Sequence, residues 1–184
     1  MSDARPANSK VTVATTWLDG CSGCHMSFLD MDERLVELAD KIHIVYSPLV
    51  DAKTLPEQVD VGILEGSISN EEDLHKAQEF RQRCKLLISL GDCAVNGNVP
   101  AMRNPFKLDA VIDRAYRENV DRNPQVPTQG VPALLDLVRP IHGVVPVDVF
   151  VPGCPPQADA IYYVLSELIA GRTPDPSLVT RFGA

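Results

Sequence analysis

No apolar run in the 184-residue chain approaches the roughly 20 residues that span a bilayer, so no membrane-spanning helix is expected. The opening residues, MSDARPANSK, hold neither an apolar signal segment nor a twin-arginine pair, which predicts a cytoplasmic protein. Basic charge is also short. Seventeen Lys and Arg against 25 Asp and Glu leave a net charge of −8, with a pI near 4.9. Nucleic acid and anionic membranes reward a basic face, so neither is an expected partner. The GxGxxG fingerprint after a strand is missing, which removes that kind of dinucleotide site. There is no internal repeat and no low-complexity tract. What remains is an ordinary globular mixture, 45% hydrophobic and 23% charged, of a length suited to one domain rather than two.

Along the chain, strand-like and helix-like stretches alternate. KVTVATT (residues 10–16) reads as a buried first strand, followed by the turn-rich loop Asp19-Gly20-Cys21-Ser22-Gly23-Cys24. Apolar residues from Met26 to Leu38 at helical spacing predict one helix to about Asp40. IHIVY (42–46) and VDVGIL (59–64) follow as strands, the latter ending in Glu65-Gly66-Ser67. Asn70 is a candidate cap for a helix over 71–83, whose acidic first turn suits the helix dipole. KLLISL (85–90) is a fourth strand, running into Gly91-Asp92-Cys93. Residues 94–145 then form a long, proline-punctuated insertion with helices expected near 108–117 and 133–138. A fifth strand at 147–151, the turn Pro152-Gly153-Cys154-Pro155-Pro156 and a helix over 158–170 complete the pattern, with Gly171 as its stop. The expectation is a flavodoxin-like, doubly wound α/β fold: a parallel sheet with helices on both faces, one domain over 1–184 and a flexible N-terminus at 1–9.

Five cysteines in a chain without an export signal make a poor disulfide framework and direct attention to metal or redox chemistry. In a doubly wound sheet the loops at the carboxyl ends of the strands share one edge. Cys21 and Cys24 follow strand one, Cys93 follows strand four and Cys154 follows strand five, so four thiols are expected there together. Cys84 precedes strand four and falls about 20 Å away at the other edge, where a small core or surface residue is expected. Four thiolates suit either zinc or a cubane iron–sulfur cluster. Only one CxxC pair is present, and the Gly/Pro-rich turns around Cys93 and Cys154 free N–H groups that can point at cluster sulfurs, which favours a [4Fe–4S] cluster.

The segments CSGCHMSFLD, VGILEGSI, SLGDCAVNGNVPAMRN and VFVPGCPPQADAI, in this order across residues 10–172, resemble the small subunit of [NiFe] hydrogenases. Within that family the chain looks like the short small subunit of the cytoplasmic, NAD-reducing type. The resemblance implies a flavodoxin-like domain holding a [4Fe–4S] cluster on Cys21, Cys24, Cys93 and Cys154. It also implies a separate large subunit carrying the Ni–Fe site, and iron–sulfur and flavin-containing diaphorase subunits as further partners. The two CxxC pairs of a nickel subunit are missing here, so such a chain transfers electrons but does not activate hydrogen alone. The related complex I subunit has adjacent cysteines where this chain has Cys21-Ser22-Gly23-Cys24, and is the alternative within the resemblance.

Other residues carry weaker expectations. Glu65 is read as a solvated loop carboxylate, with a proton relay near the large subunit as its functional alternative. His25 is expected to face solvent or an interface, with a hydrogen bond toward the cluster as its functional alternative, and Asp92 and Asn96 to bond their own backbone. Trp17 suits the core, a position over the cluster or one against a partner. Asp30 to Glu33 reads as a helix face in water. A flavin phosphate would compete with Cys21 and Cys24 for the loop after strand one, which disfavours a simple flavodoxin. An FMN at a subunit junction is left open, and no sequence feature shows one. A zinc-stapled scaffold is the non-enzymatic alternative.

Overall fold

Val11–Trp17 (β1) is a run of β-branched residues with Val13 and Ala14 turned to opposite faces, both buried, as a strand covered on two sides requires. The computed structural model describes residues 10–180, and the N-terminus at 1–9 lies outside the described residues. The other strands of the main sheet are Ile42–Tyr46 (β2), Val59–Glu65 (β3), Cys84–Leu90 (β5) and Val149–Val151 (β7). Their order is β2-β1-β3-β5-β7, all parallel. Counted within this sheet alone, that is the 2-1-3-4-5 order of flavodoxin-like folds.

The register aligns Trp17 with Glu65, Glu65 with Leu90, and Leu90 with Val151, so one row of residues forms the carboxyl edge. Cys84 pairs with Val59 at the other end.

One face is covered by Gly23–Leu29 (α1), Glu33–Ala39 (α2) and Ala158–Ile169 (α6). Their Phe28, Leu38, Ile161 and Val164 pack on Val13, Ile63 and Ile88. The opposite face holds Glu71–Arg83 (α3), whose Ala77 and Phe80 pack with Leu64, Leu87 and Cys84. Asn70 caps α3 by accepting from the Asp73 N–H at 2.9 Å, as expected.

Two helix expectations are corrected. The stretch after Cys24 is broken into α1 and α2, because Asp32 adopts a positive φ of 50° and Met31 turns inward to full burial. Asp30 to Glu33 is therefore a helix junction rather than a solvated helix face. Residues 133–138 do not form a helix. Leu134–Arg139 (β6) is a strand, antiparallel to Ile68–Asn70 (β4).

The insertion 94–145 is consequently tied down. The Asn104 side chain exchanges two hydrogen bonds with the Val138 backbone, and the Arg103 guanidinium donates to the carbonyls of Leu135, Asp136 and Ser69. Elsewhere in the insertion, Asp92–Asn96 (α4) begins it and Leu108–Asp113 (α5) continues as a π turn to Glu118. The helix expected near 108–117 is present in that form.

Candidate four-cysteine site

The segments that follow β1, β5 and β7 beyond the carboxyl row deliver the thiols. After β1 the chain is fastened to the end of β3: Leu18 N–H donates to Glu65 O at 2.8 Å, and Asp19 and Ser67 exchange backbone hydrogen bonds of 3.0 and 2.7 Å. From this fixed point Cys21 stands exposed, and Ser22, left-handed at φ 62°, starts α1 and carries Cys24 into the interior. Cys93 lies in the first turn of α4, and Cys154 follows β7 and is joined to Pro155 by a cis peptide. The two loops are cross-linked. Asp92 N–H donates to Gly153 O at 2.9 Å, and Gly153 N–H returns a bond of 2.7 Å to the Asp92 carboxylate. Asp92 thus joins two loops instead of bonding its own backbone, which corrects the expectation, whereas Asn96 does accept locally from Asn98 N–H at 2.9 Å.

Gly91, at φ 84°, is the closest approach in the site: a Cβ there would lie 2.2 Å from Cys24 Sγ. Only glycine allows β5 to turn past that sulfur.

The four thiols share an electrostatic neighbourhood. The Cys24 thiol is pushed far above its ordinary range, first by burial and then by negative charge at Glu65, Cys93, Cys21 and Cys154. Cys93 is raised by burial and then by Cys154 and Cys21, against a lowering by a hydrogen bond from Asn98. Such a group resists carrying four negative charges by itself and favours a cationic metal core that offsets them. Cys84 is separate. It is 4% exposed in the α3-side core, and burial alone raises its thiol to about 11, opposed only by Arg81.

Glu65 and His25 overturn their expectations. Glu65 is 2% exposed and His25 3%, so neither faces solvent. The Glu65 carboxylate accepts from the His25 backbone N–H at 2.7 Å and also pairs with its Nδ1. On the far side of the ring, Nε2 meets Thr15 Oγ1 at 2.9 Å, and Thr15 donates to Ser47 Oγ at 2.8 Å. A chain of polar contacts thus runs from Ser47 through Thr15 and the imidazole to Glu65. A carboxylate from β3 thereby clamps the helix turn that holds Cys24. A sequence signal existed, a carboxylate ending a strand that is apolar from Val61 to Leu64, but its partner lies 40 residues away.

Trp17 is exposed rather than in the core, its indole edge-on to the His25 ring at 5.5 Å. Met26, Leu29, Val99, Met102 and Phe106 are exposed as well, on loops and helices that carry or flank the cysteines.

Together these features define a class: a flavodoxin-type α/β domain with four cysteines gathered at the carboxyl edge of its sheet. The chain belongs to the family described as NADH ubiquinone oxidoreductase, 20 Kd subunit, whose model matches residues 21–168. It is 45% identical over 190 residues to the NAD-reducing hydrogenase HoxS subunit delta of Cupriavidus necator, covering 99% of this chain and 91% of that protein. It is also 36% identical to a subunit of the vhu F420-non-reducing hydrogenase of Methanocaldococcus jannaschii, covering 89% of this chain but 58% of that longer relative. Among solved structures, a chain of an NAD+-reducing [NiFe]-hydrogenase in the H2-reduced state matches with a TM-score of 0.90. That match has 37% identity and covers 95% of this chain and 99% of that one. The flavodoxin-like expectation is therefore correct. No helix among the described residues is long and apolar enough to cross a membrane.

Proposed function

We propose that the chain is the electron-transfer small subunit of a cytoplasmic, NAD-reducing [NiFe] hydrogenase, in which Cys21, Cys24, Cys93 and Cys154 hold a [4Fe–4S] cluster. The observation that carries this reading is the convergence of those four thiols, and not Cys84, from three separate loops in a chain of this family. A cluster bound there accepts and releases single electrons.

The chain's own residues supply the setting. Glu65, through His25 N–H and the imidazole, fixes the turn bearing Cys24. We assign Glu65 this positioning role ahead of the proton relay. Asp92 holds the Cys93 and Cys154 loops in register.

The single CxxC pair and the hydrogenase relatives favour iron–sulfur over zinc. The loop after β1 carries cysteines where a flavodoxin cradles phosphate, so no flavin is assigned to this chain.

The apolar rim of Trp17, Met26, Leu29 and Met102 suits a closely packed permanent partner, here a large subunit carrying the Ni–Fe site. Diaphorase subunits with flavin and iron–sulfur centres then complete the path to NAD. The complex I alternative shares the family model, but the spaced Cys21–Cys24 pair and the hydrogenase relatives favour the present reading.

The test is anaerobic purification through a tagged copy of this chain, with partners identified by mass spectrometry and nickel, iron, acid-labile sulfide and zinc measured. Nickel in a co-purifying large subunit, with iron and sulfide, is expected. Stoichiometric zinc without sulfide contradicts the cluster, and a nickel-free assembly contradicts the hydrogenase.

A further inference from the structure

The loop that follows Cys93 ends α4 with Gly97, whose N–H donates to Cys93 O at 3.0 Å and whose φ is 89°. Asn98 comes next, itself left-handed at φ 34°, a region that asparagine tolerates better than most residues with a side chain. It is held on both sides. Its N–H donates to the Asn96 side chain at 2.9 Å, and its carbonyl accepts from Ala101 N–H at 3.1 Å. This conformation sends the amide across to another loop, where Nδ2 stands 3.4 Å from Cys154 Sγ. That separation is a normal hydrogen bond to sulfur, and the two residues are 56 positions apart. Among the described residues this is the one side-chain donor recorded against a sulfur of the four-cysteine group.

We propose that Asn98 is a tuning residue of this centre, an N–H donor that stabilises negative charge on the Cys154 sulfur and so raises the midpoint potential of the cluster. The inference rests on the proposed function, since it presupposes iron–sulfur ligation by Cys154. Adding one electron to a [4Fe–4S] core increases the negative charge that the ligating sulfurs share, without a proton being required. A donor aimed at one of them is therefore worth more in the reduced form than in the oxidised form, which moves the potential upward. Asn98 lies half-buried beside exposed Val99, so a partner covering this rim would exclude water from the bond and strengthen it.

The purified complex is used for the test, with three forms of this chain: unaltered, Asn98→Gly and Asn98→Asp. Glycine accepts the left-handed backbone, so Asn98→Gly removes the donor while leaving the turn intact. Asn98→Asp keeps the shape, removes the donor and adds negative charge. Iron and sulfide per complex are measured first, followed by redox titration monitored by electron paramagnetic resonance.

The expected result is unchanged iron and sulfide with a more negative midpoint in Asn98→Gly and a still more negative one in Asn98→Asp. A tenfold loss in preference for the reduced form corresponds to a 59 mV shift for a one-electron couple. Equal midpoints at full iron content overturn the proposal, and so does loss of the cluster in Asn98→Gly, which makes Asn98 a scaffold residue. If the unaltered complex holds no iron and sulfide, the proposed function itself fails, and the two failures are told apart by that first measurement.

Discussion

Cys24 and Cys84 are both buried, at 9% and 4% exposure, yet they live in different electrical surroundings. Around Cys84 lie Leu87, Phe80 and Val59 of the α3-side core, and burial is the one influence that raises its thiol. Around Cys24 stand a carboxylate and three more sulfurs, each adding to the effect of burial. Burial alone marks a packing residue. Burial among other ionisable thiols is what the proposed cluster site requires. The fold produces the contrast by putting Cys84 at the amino end of β5 and the other four beyond the carboxyl row, Cys21 and Cys154 in loops, Cys24 just inside α1 and Cys93 in the first turn of α4.

Each of the two cysteines also faces a glycine, which gives the largest predicted difference. A Cβ at Gly91 would stand 2.2 Å from Cys24 Sγ, and one at Gly62 would stand 2.6 Å from Cys84 Sγ. Gly91→Ala should sharply reduce iron per folded chain, because the sulfur must move and φ 84° strains any side chain. Gly62→Ala should lower thermal stability by about 1–3 kcal/mol through overpacking and leave iron per folded chain unchanged. Metal analysis beside thermal melts checks both, and an iron loss in Gly62→Ala would erase the distinction.

Glu65→Gln should have a middling effect. The variant keeps the shape but loses the charge-assisted bonds to His25 N–H and the imidazole, costing about 1–3 kcal/mol in a buried site. Melts of the complex should show that loss together with faster iron release to a chelator, since Cys24 adjoins His25. Glu65→Gln with stability and iron release both unchanged would remove the clamp from the account.

The contrast was largely legible in the sequence, because it depends on which end of a strand each cysteine follows. The β-branched and apolar runs at 11–17, 42–46, 59–65 and 84–90, and the Asn70 cap, are local signals that the structure repeats. Leu134, Leu135 and Val138 were not legible. Their spacing fits a helix, and only the distant β4 makes them a strand. The break at Asp32 was hidden for a similar reason, since apolar spacing continues across it while Met31 turns into the core. Glu65, His25 and Asn98 act through partners 40 to 56 positions away, and local patterns carry no trace of such pairings.

The smallest effect concerns pH and the core cysteine. Folding raises the Cys84 thiol from its ordinary 9.0 to about 11, so the unfolded chain gives up that proton first. The contribution is fully present below pH 9 and is lost as pH rises through 9 toward 11. Cys84→Ala should therefore show a flatter decline of stability across that window, measured by denaturant midpoints from pH 8 to 11. An unchanged slope would mean that Cys84 is not as dry as its surroundings indicate.

The most direct test of the central claim exchanges one cysteine from each region for serine in the purified complex. Iron, acid-labile sulfide and the electron paramagnetic resonance spectrum are then compared between Cys154→Ser and Cys84→Ser. The account predicts loss of the cluster, or a three-iron remnant, in Cys154→Ser, and a complete cluster in Cys84→Ser. A complete cluster in Cys154→Ser with loss in Cys84→Ser would contradict both the ligand set and the separation of the two sheet edges.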